Sequence, residues 1–225
     1  MSIALIPVKR LEESKSRLLS QLPDSRRQAL TLAMLEDLIE ALSRTPGIDR
    51  IAVTTPDPLV AERGRNAGAE ILLRQEPGLN AALEDGRQRL QPAPRQPIND
   101  SAPSEAFLIV LGDVAGALPE DFSKLLEIAA ETTGPGVWLA PSSDGGTSAL
   151  LQRPANAIPC SFGRDSAKRH REAAAAAGVA FVEIELASLN IDLDQPEDLE
   201  AFLKTKSGGP RTRALLEEAT GKDPK

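Results

Sequence analysis

The stretch AFLIVLGD, residues 106–113, consists of six apolar residues followed by a glycine and an aspartate. A short apolar run that ends at turn-forming residues is typical of a buried β-strand. In sheets whose strands alternate with helices, ligands bind in the crevice beyond the carboxyl ends of the strands. Asp113, which follows the predicted strand, is therefore a candidate for the functional site.

Strand-like and helix-like segments alternate on both sides of this stretch. The other predicted strands cover residues 3–8, 50–55, 69–74, 136–141 and 179–184. Apolar residues at helical spacing predict the helices, which lie within residues 24–47, 58–68, 79–90, 119–131, 164–178 and 194–204. This alternation predicts an α/β fold with a mostly parallel sheet flanked by helices on both faces.

Residues 1–225 are interpreted as a single domain, because the alternating pattern runs through most of the chain. The segment QPAPRQPINDSAPS, residues 91–104, is rich in Pro, Ser and Asn. The periodic pattern resumes directly after it, so we interpret it as a loop insertion and not as a domain boundary. From about residue 205 we expect a flexible C-terminal tail with a helical stretch.

The composition of the chain limits the kinds of molecule that the protein can bind. A net charge of −7 and an aromatic content of 3% argue against nucleic-acid binding, which needs a basic surface and stacking side chains. Cys160 is the only cysteine, so the chain forms no intramolecular disulfide. The N-terminal run SIALIPV is too short for a signal peptide or a membrane span. We therefore expect a cytoplasmic protein with no membrane partner.

Four basic residues follow the first predicted strand, namely Lys9, Arg10, Lys15 and Arg17. A local basic patch can bind a small anion even on an acidic protein. The stretch is not a P-loop, since it has no glycines to surround a phosphate. Taken alone, these residues fit a phosphate site or a solvent-exposed loop and helix face.

Three aspartates are candidates for a metal site. Asp113 follows a strand, and Asp192 and Asp194 stand two residues apart before the last predicted helix. Side chains at i and i+2 of an extended segment share a face, and Mg²⁺ prefers carboxylate and phosphate oxygens. The alternative for Asp192 and Asp194 is that they cap the helix that starts near Pro196.

Two glycine-containing segments, DGGTSAL (144–150) and FGRDS (162–166), are candidates for anion binding. The second precedes a predicted helix, whose free N–H groups and dipole favour an anion. A simple turn and a plain helix start are the alternatives. His170 lies one turn after Ser166, and a lone helix histidine is more often a surface or structural residue than a catalytic one.

The order of these motifs resembles the guanylyltransferases of coenzyme F420 biosynthesis, over most of residues 3–204. The motifs are PVK-x5-KSRL (7–18), EPGLNAAL (76–83), GDVAGAL (112–118), DGGTSALL (144–151), SFGRDSAKRH (161–170) and DLDQPEDL (192–199). The resemblance implies a Rossmann-like fold similar to the nucleotide-diphospho-sugar transferases. It also implies a nucleotidyltransferase that moves GMP from GTP to 2-phospho-L-lactate, phosphoenolpyruvate or 3-phospho-D-glycerate, with Mg²⁺ as cofactor and pyrophosphate as leaving group.

The same resemblance implies roles for individual residues. Asp113, Asp192 and Asp194 would bind the metal, Lys9, Lys15 and Arg17 would face the GTP phosphates, Gly78, Leu79 and Asn80 would lie near the guanine and ribose, and Thr147, Gly163 and Ser166 would bind the phospho-acid. Lys9, Lys15, Arg17 and Asp113 would form the catalytic set. The resemblance does not choose among the three acids, and it leaves a homodimer open.

The sequence departs from the family pattern at two positions. Ala115 stands where a proline is frequent, and Ser148 stands where an asparagine is common. Asp165 lies beside the phospho-acid residues, where its charge would repel an anion unless it caps its own helix, as we expect. Two other functions stay open: a nucleotidyltransferase of this fold that uses CTP or loads molybdopterin, and a non-catalytic nucleotide-binding protein.

Overall fold

Seven strands of the described part of the chain form one sheet through the middle of the molecule. The computed structural model describes residues 2–15, 18, 22–75, 78–91, 106–190, 193, 195–205 and 208–220. The strands are β1 (Ser2–Pro7), β2 (Arg50–Thr55), β3 (Glu70–Leu73), β4 (Ala106–Val110), β5 (Gly136–Pro141), β6 (Thr147–Arg153) and β7 (Ala180–Glu183).

The strand order in the sheet is β3-β2-β1-β4-β6-β5-β7. β1 pairs in parallel with β2 and β4, β2 with β3, and β5 with β7. β6 runs antiparallel to both of its neighbours, β4 and β5. The prediction of a mostly parallel sheet in an α/β fold is confirmed, and the stretch at 106–113 supplies the central strand β4 and the loop after it.

β6 was not among the predicted strands. Its first residues were interpreted as part of a glycine-containing motif, and Gly145, with φ of +82°, does form the turn before the strand. Six of the seven residues of β6 are buried. Polar residues (Thr147, Ser148, Gln152 and Arg153) flank only three apolar residues of this strand, so it lacks the continuous apolar run by which β4 and β5 were predicted.

Along the described part of the chain, the first five α-helices lie between strands and the last two follow β7. They are α1 (Asp24–Ser43), α2 (Pro58–Asn66), α3 (Leu79–Leu90), α4 (Pro119–Glu131), α5 (Ser166–Ala177), α6 (Pro196–Lys204) and α7 (Pro210–Thr220). α3 and α4 begin and end at the predicted residues. Short 3₁₀ helices occur at Leu11–Glu13 and Ala187–Asn190.

The sheet is covered on both faces, because successive residues of its strands belong to different apolar clusters. Ile6 of β1 belongs to a cluster with residues of α1, α2 and α4, whereas its neighbour Leu5 belongs to a cluster with residues of α3 and α5. Gly86 lets α3 approach β1 closely, since a Cβ there would lie 2.8 Å from Cδ2 of Leu5. The helices therefore hold the strand ends in fixed positions around the site.

A third apolar cluster lies beside the sheet and joins α1 to the C-terminal helices. It includes Leu18, Ala115 and Leu193, which come from three segments that carry predicted site residues. Phe202 of α6 and Leu216 of α7 belong to the same cluster, with 0% and 1% of their surface exposed. The C-terminal helices therefore pack against the same segments that were predicted to form the active site.

α7 is attached to α1 through the buried carboxylate of Asp37. The backbone N–H groups of Arg211 and Thr212 donate to Asp37 over 3.1 and 2.9 Å, and the hydroxyl of Thr212 donates over 2.8 Å. A Cβ at Gly208 would collide with the carbonyl oxygen of Gly116, so the chain before α7 touches the loop after β4. α7 is the helical stretch that was expected within the C-terminal tail.

The described residues form a single α/β domain. Apart from Gln91, the predicted loop insertion at 91–104 lies outside the described residues. Within the described part of the chain, no helix has both the length and the apolar character needed to cross a membrane.

Candidate active site

A cavity of about 430 Å³ opens at the carboxyl ends of β1, β2 and β4, where the parallel sheet predicts a ligand site. The loops after these strands and the first turn of α3 form its walls. Residues relevant to function in its lining are Lys9, Glu13, Lys15, Thr54, Gly78, Leu79 and Asp113.

The basic segment after β1 lies at this cavity. Lys9 is exposed, whereas the side chain of Lys15 is buried, and both residues line the cavity. Lys15 has a φ of +53°, a left-handed conformation that is uncommon for a residue with a side chain. Arg10 also lines the cavity and donates to Oε1 of Gln75 over 3.2 Å. Arg17 lies outside the described residues.

Contacts to α1 and α2 hold the basic segment in place. Leu11 is buried, and its N–H donates to the carboxylate of Asp57 over 3.0 Å. The same carboxylate caps α2 by accepting from the N–H of Leu59 over 2.9 Å. Arg27 of α1 donates to the carbonyl oxygen of Ser14 over 2.7 Å. The backbone beside Lys15 is therefore tied to two helices.

Asp113 lies at the edge of the cavity and is partly buried. Gly112 allows the loop after β4 to approach β1, because a Cβ there would lie 2.9 Å from the carbonyl oxygen of Pro7. Asp113 therefore lines the same cavity as Lys9 and Lys15, although the sequence separates them by about a hundred residues.

The predicted metal ligands Asp192 and Asp194 lie outside the described residues. Leu193 between them is described, and it is fully buried in the cluster that contains Ala115 and Leu18. Among the described residues, no group of three or more acidic, histidine or cysteine side chains is placed to hold a metal ion. The metal site therefore stays a prediction.

The turn at Gly78 forms the start of α3 and part of the cavity wall. Gly78 occupies the N-cap position of α3, and its φ of +111° is a conformation that favours glycine. Leu79 lines the cavity as well. Asn80 does not line it; its side chain binds the backbone of Phe162 instead, accepting from the N–H over 2.7 Å and donating to the carbonyl over 3.1 Å.

Thr54 is a cavity residue that the sequence analysis missed. It lies in β2, and only 2% of its surface is exposed. Its hydroxyl oxygen is buried and has no hydrogen-bond partner within the described part of the chain. A buried polar atom is rarely left without a partner, so the hydroxyl is available to a ligand in the cavity. The sequence gives no signal for it, because Thr is common in strands.

The three residues predicted to bind the phospho-acid lie together at the start of β6 and of α5. Oγ1 of Thr147 lies 2.8 Å from Oγ of Ser166. Both residues are buried, with 2% and 0% of their surface exposed. Gly163, with a φ of +119°, is exposed in the turn before α5. Of the three, Gly163 is the residue that a ligand can reach directly.

His170 completes this corner, although the sequence indicated only a lone helix histidine. Its Nδ1 lies 3.1 Å from Oγ1 of Thr147, and its Nε2 accepts from the N–H of Ser161 over 3.1 Å. Burial, and to a lesser degree the charge of Arg169, lowers the pKa of His170 to about 4. The ring is therefore neutral near pH 7.

The expectation that Asp165 caps its own helix is wrong. Asp165 stands at the N-cap position of α5, but its side chain makes no capping hydrogen bond, and its φ is +54°. This left-handed backbone turns the carboxylate away from the N–H groups of the helix, and the side chain is 68% exposed. It lies 3.8 Å from Nε of Arg164, which partly offsets its charge.

Comparison with known proteins identifies the family. The family model described as "Guanylyl transferase CofC like" matches residues 2–217. The chain belongs to this guanylyl transferase family. The predicted resemblance is therefore confirmed, and the chain is a nucleotidyltransferase.

Curated relatives carry guanylyltransferase names. The phosphoenolpyruvate guanylyltransferase of Rubrobacter xylanophilus is 40% identical over 211 residues, which cover 93% of this chain and 96% of that protein. The 3-phospho-D-glycerate guanylyltransferase of Colwellia psychrerythraea is 33% identical over 211 residues, which cover 94% of each chain. The family therefore includes proteins named for two different acids.

Solved structures confirm the predicted fold class. A putative nucleotide-diphospho-sugar transferase from Desulfovibrio desulfuricans G20 has a TM-score of 0.70 at 17% identity and covers 100% of this chain and 99% of its own. The glucosyl-3-phosphoglycerate synthase of Mycobacterium tuberculosis, in complex with Mn²⁺, UDP-glucose and phosphoglyceric acid, has a TM-score of 0.57 at 12% identity. It covers 100% of this chain and 81% of its own.

Proposed function

We propose that the protein transfers GMP from GTP to a small phosphorylated three-carbon acid and releases pyrophosphate, as a step of coenzyme F420 biosynthesis. The acceptor is phosphoenolpyruvate, 2-phospho-L-lactate or 3-phospho-D-glycerate. The observation that carries this proposal is the cavity in which Lys9, Lys15 and Asp113 come together at the ends of parallel strands. Family membership and the relatives' names support it.

The proposed chemistry needs no general base. The attacking atom is an oxygen of the acceptor phosphate, which already carries negative charge near neutral pH. His170 is fully buried, and both of its ring nitrogens are hydrogen-bonded to Thr147 and Ser161, so it does not serve as a base at the cavity. The main barrier is the approach of two anions, and charge neutralisation and alignment lower it.

Lys9, Lys15 and Arg17 form the proposed cationic side of the site. Lys9 and Lys15 line the cavity, where an ammonium group attracts the triphosphate and stabilises the charge that develops on pyrophosphate. Gly78 and Leu79 form the wall next to the proposed position of the guanine and ribose. The Thr54 hydroxyl supports a polar ligand in this cavity, since it has no other partner among the described residues.

Asp113, Asp192 and Asp194 are the proposed ligands of Mg²⁺. Carboxylate oxygens suit this ion, and bound Mg²⁺ supplies charge neutralisation between the two substrates. Asp113 lines the cavity. The burial of Leu193 in one cluster with Ala115 supports an approach of the two segments. The fold of a Mn²⁺-containing structure agrees with this choice of cofactor class.

The acceptor binds, in this proposal, at the corner formed by Thr147, Gly163 and Ser166. Gly163 offers exposed backbone beside the N-terminus of α5, where helix N–H groups favour an anion. Thr147 and Ser166 lie behind this turn. We also propose a cytoplasmic location, because a chain with one cysteine forms no intramolecular disulfide and suits a reducing compartment. The proposed function leaves a homodimer open, and light scattering would test it.

Incubation with GTP, Mg²⁺ and each acid separately, followed by product identification by mass, tests the proposal. We expect pyrophosphate and a guanosine diphosphate ester of one of the acids. Transfer from CTP in preference to GTP would favour the cytidylyl or molybdopterin alternative. Binding of GTP with no product from any of the three acids would contradict the proposed reaction.

A further inference from the structure

Side chains from two helices hold the turn at Ser161 and Phe162. His170 accepts from the N–H of Ser161 over 3.1 Å, and Arg169 donates to the carbonyl of Ser161 over 2.8 and 3.2 Å. Asn80 binds both the N–H and the carbonyl of Phe162, over 2.7 and 3.1 Å. The backbone shape of this turn therefore depends on side chains of α3 and α5.

The turn is joined to both proposed substrate sites. Asn80 directly follows Gly78 and Leu79, which line the cavity. Phe162 directly precedes Gly163, the exposed residue of the acceptor corner. The two hydrogen bonds of Asn80 therefore connect the cavity wall to the acceptor corner across 82 residues of sequence.

The bonding of His170 fixes both its tautomer and its orientation. Because Nε2 accepts from Ser161, Nδ1 carries the proton and donates to Oγ1 of Thr147. The ring is fully buried and packs with the ring of Phe162 in a T-shaped arrangement, with centroids 5.0 Å apart. His170 thus holds the turn and the Thr147–Ser166 pair in one arrangement.

We propose that Asn80 and His170 are positioning residues that set the separation between the nucleotide cavity and the acceptor corner, without touching either substrate. This inference rests on the proposed function, because the separation matters only when both substrates bind. Transfer needs the attacking oxygen close to and aligned with the phosphorus, so a small displacement of the turn slows it and weakens acceptor binding.

Asn80→Ala tests the role of the first residue. We expect the KM for the acid to rise about tenfold, with a lower kcat, because the turn loses two hydrogen bonds. The KM for GTP should change less than about threefold, since Asn80 does not line the cavity. Asn66→Ala, an exposed asparagine at the end of α2, is the matched control. A rise confined to the KM for GTP would instead identify Asn80 as a nucleotide contact and overturn the proposal.

Two substitutions of His170 separate hydrogen bonding from packing. His170→Phe keeps a buried ring and loses both bonds, so the KM for the acid should rise about tenfold. His170→Gln carries an amide near the position of Nε2, can accept from Ser161, and should recover part of this loss. Equal kinetics of both variants, or an unchanged KM for the acid in His170→Phe, would contradict a positioning role.

Hydrogen exchange without substrate gives a result that is independent of the reaction. In Asn80→Ala, the peptide covering residues 159–165 should exchange at least about fivefold faster than in the wild type, because the Phe162 amide loses its acceptor. Unchanged exchange would overturn the inference even if the wild type transfers GMP. If the wild type shows no transfer with any acid, the proposed function fails, and faster exchange would show that the turn is nevertheless held by Asn80.

Discussion

At the scale of single residues, Lys15 combines an unusual backbone with a buried side chain. Its φ is +53°, in the left-handed region, and only 6% of its surface is exposed. Most lysines in loops instead have an extended backbone and a solvated side chain. Such backbone conformations persist when surrounding contacts impose them, and they concentrate at functional sites. The contacts of Leu11 and Ser14 with α1 and α2 supply that constraint.

Lys15→Ala should raise the KM for GTP about tenfold and slow GMP transfer, because the cavity loses a cation opposite the triphosphate. Steady-state kinetics with GTP as the varied substrate measures both effects. Lys124→Ala, an exposed lysine of α4 that does not line the cavity, should match the wild type. An unchanged KM for GTP and an unchanged transfer rate in Lys15→Ala would instead favour the alternative that the basic segment is a loop without a role in phosphate binding.

The lowered pKa of His170 predicts a loss of protein stability at low pH. Its pKa falls from 6.5 to about 4 in the folded protein, mainly through burial. Between these values the unfolded chain binds a proton that the folded chain does not, so stability decreases as the pH falls from about 6.5 to about 4. Between pH 7 and pH 5 the loss from this group is about 2 kcal/mol.

Urea unfolding of the wild type and of His170→Gln at pH 7 and pH 5 isolates this contribution. The wild type should lose about 2 kcal/mol more than the variant over this interval, because glutamine does not titrate. A pH dependence that is equal in both proteins would show that His170 is protonated in the folded state.

At the scale of elements, the docking of α7 on α1 is the least expected contact. Asp37 has 6% of its surface exposed, and it accepts several hydrogen bonds from the first turn of α7. Thr212 is fully buried at this contact. Because α7 and α6 enclose the cluster of Leu18, Ala115 and Leu193, their docking supports the loops at the cavity.

Asp37→Ala should lower the free energy of unfolding by about 3 kcal/mol, since it leaves buried N–H and hydroxyl donors without an acceptor. Glu40→Ala is the matched control: Glu40 also binds Arg211, over 2.6 Å, but it is 42% exposed. That pair is screened by water, so its loss should cost less than about 1 kcal/mol. Similar denaturation midpoints for the two variants would show that α7 does not depend on Asp37.

At the scale of the whole molecule, local patterns were sufficient for most of the fold. The apolar runs of β1, β2 and β4 and the helical spacing in α3 and α4 are properties of short segments, so the sequence predicted them closely. β6 was not predicted because polar residues flank its three apolar residues, Ala149–Leu151, and leave no continuous apolar run. The docking of α7 depends on bonds between residues more than 170 positions apart, which no local pattern encodes.

The residues of the site also fall into two groups: those predicted from local patterns and those that depend on contacts between distant segments. Strand ends identified Lys9, Lys15 and Asp113, and the structure brings these residues to one cavity. The position of Asn80 on Phe162, the buried hydroxyl of Thr54 and the two bonds of His170 depend on side-chain packing between distant segments. The order of the residue types along the sequence was recognisable, but the sequence did not reveal which groups these side chains contact.

The reversed direction of β6 has a consequence for how acceptor choice can change. Because β6 alone runs against its neighbours, its first residue, Thr147, lies at the same rim as the ends of β4 and β5. A hairpin loop of five residues, 142–146, connects β5 to β6. Exchange of this loop between homologues would remodel the proposed acceptor corner while the strand pairings and the proposed nucleotide cavity stay intact, so under the proposed function the two specificities can evolve separately.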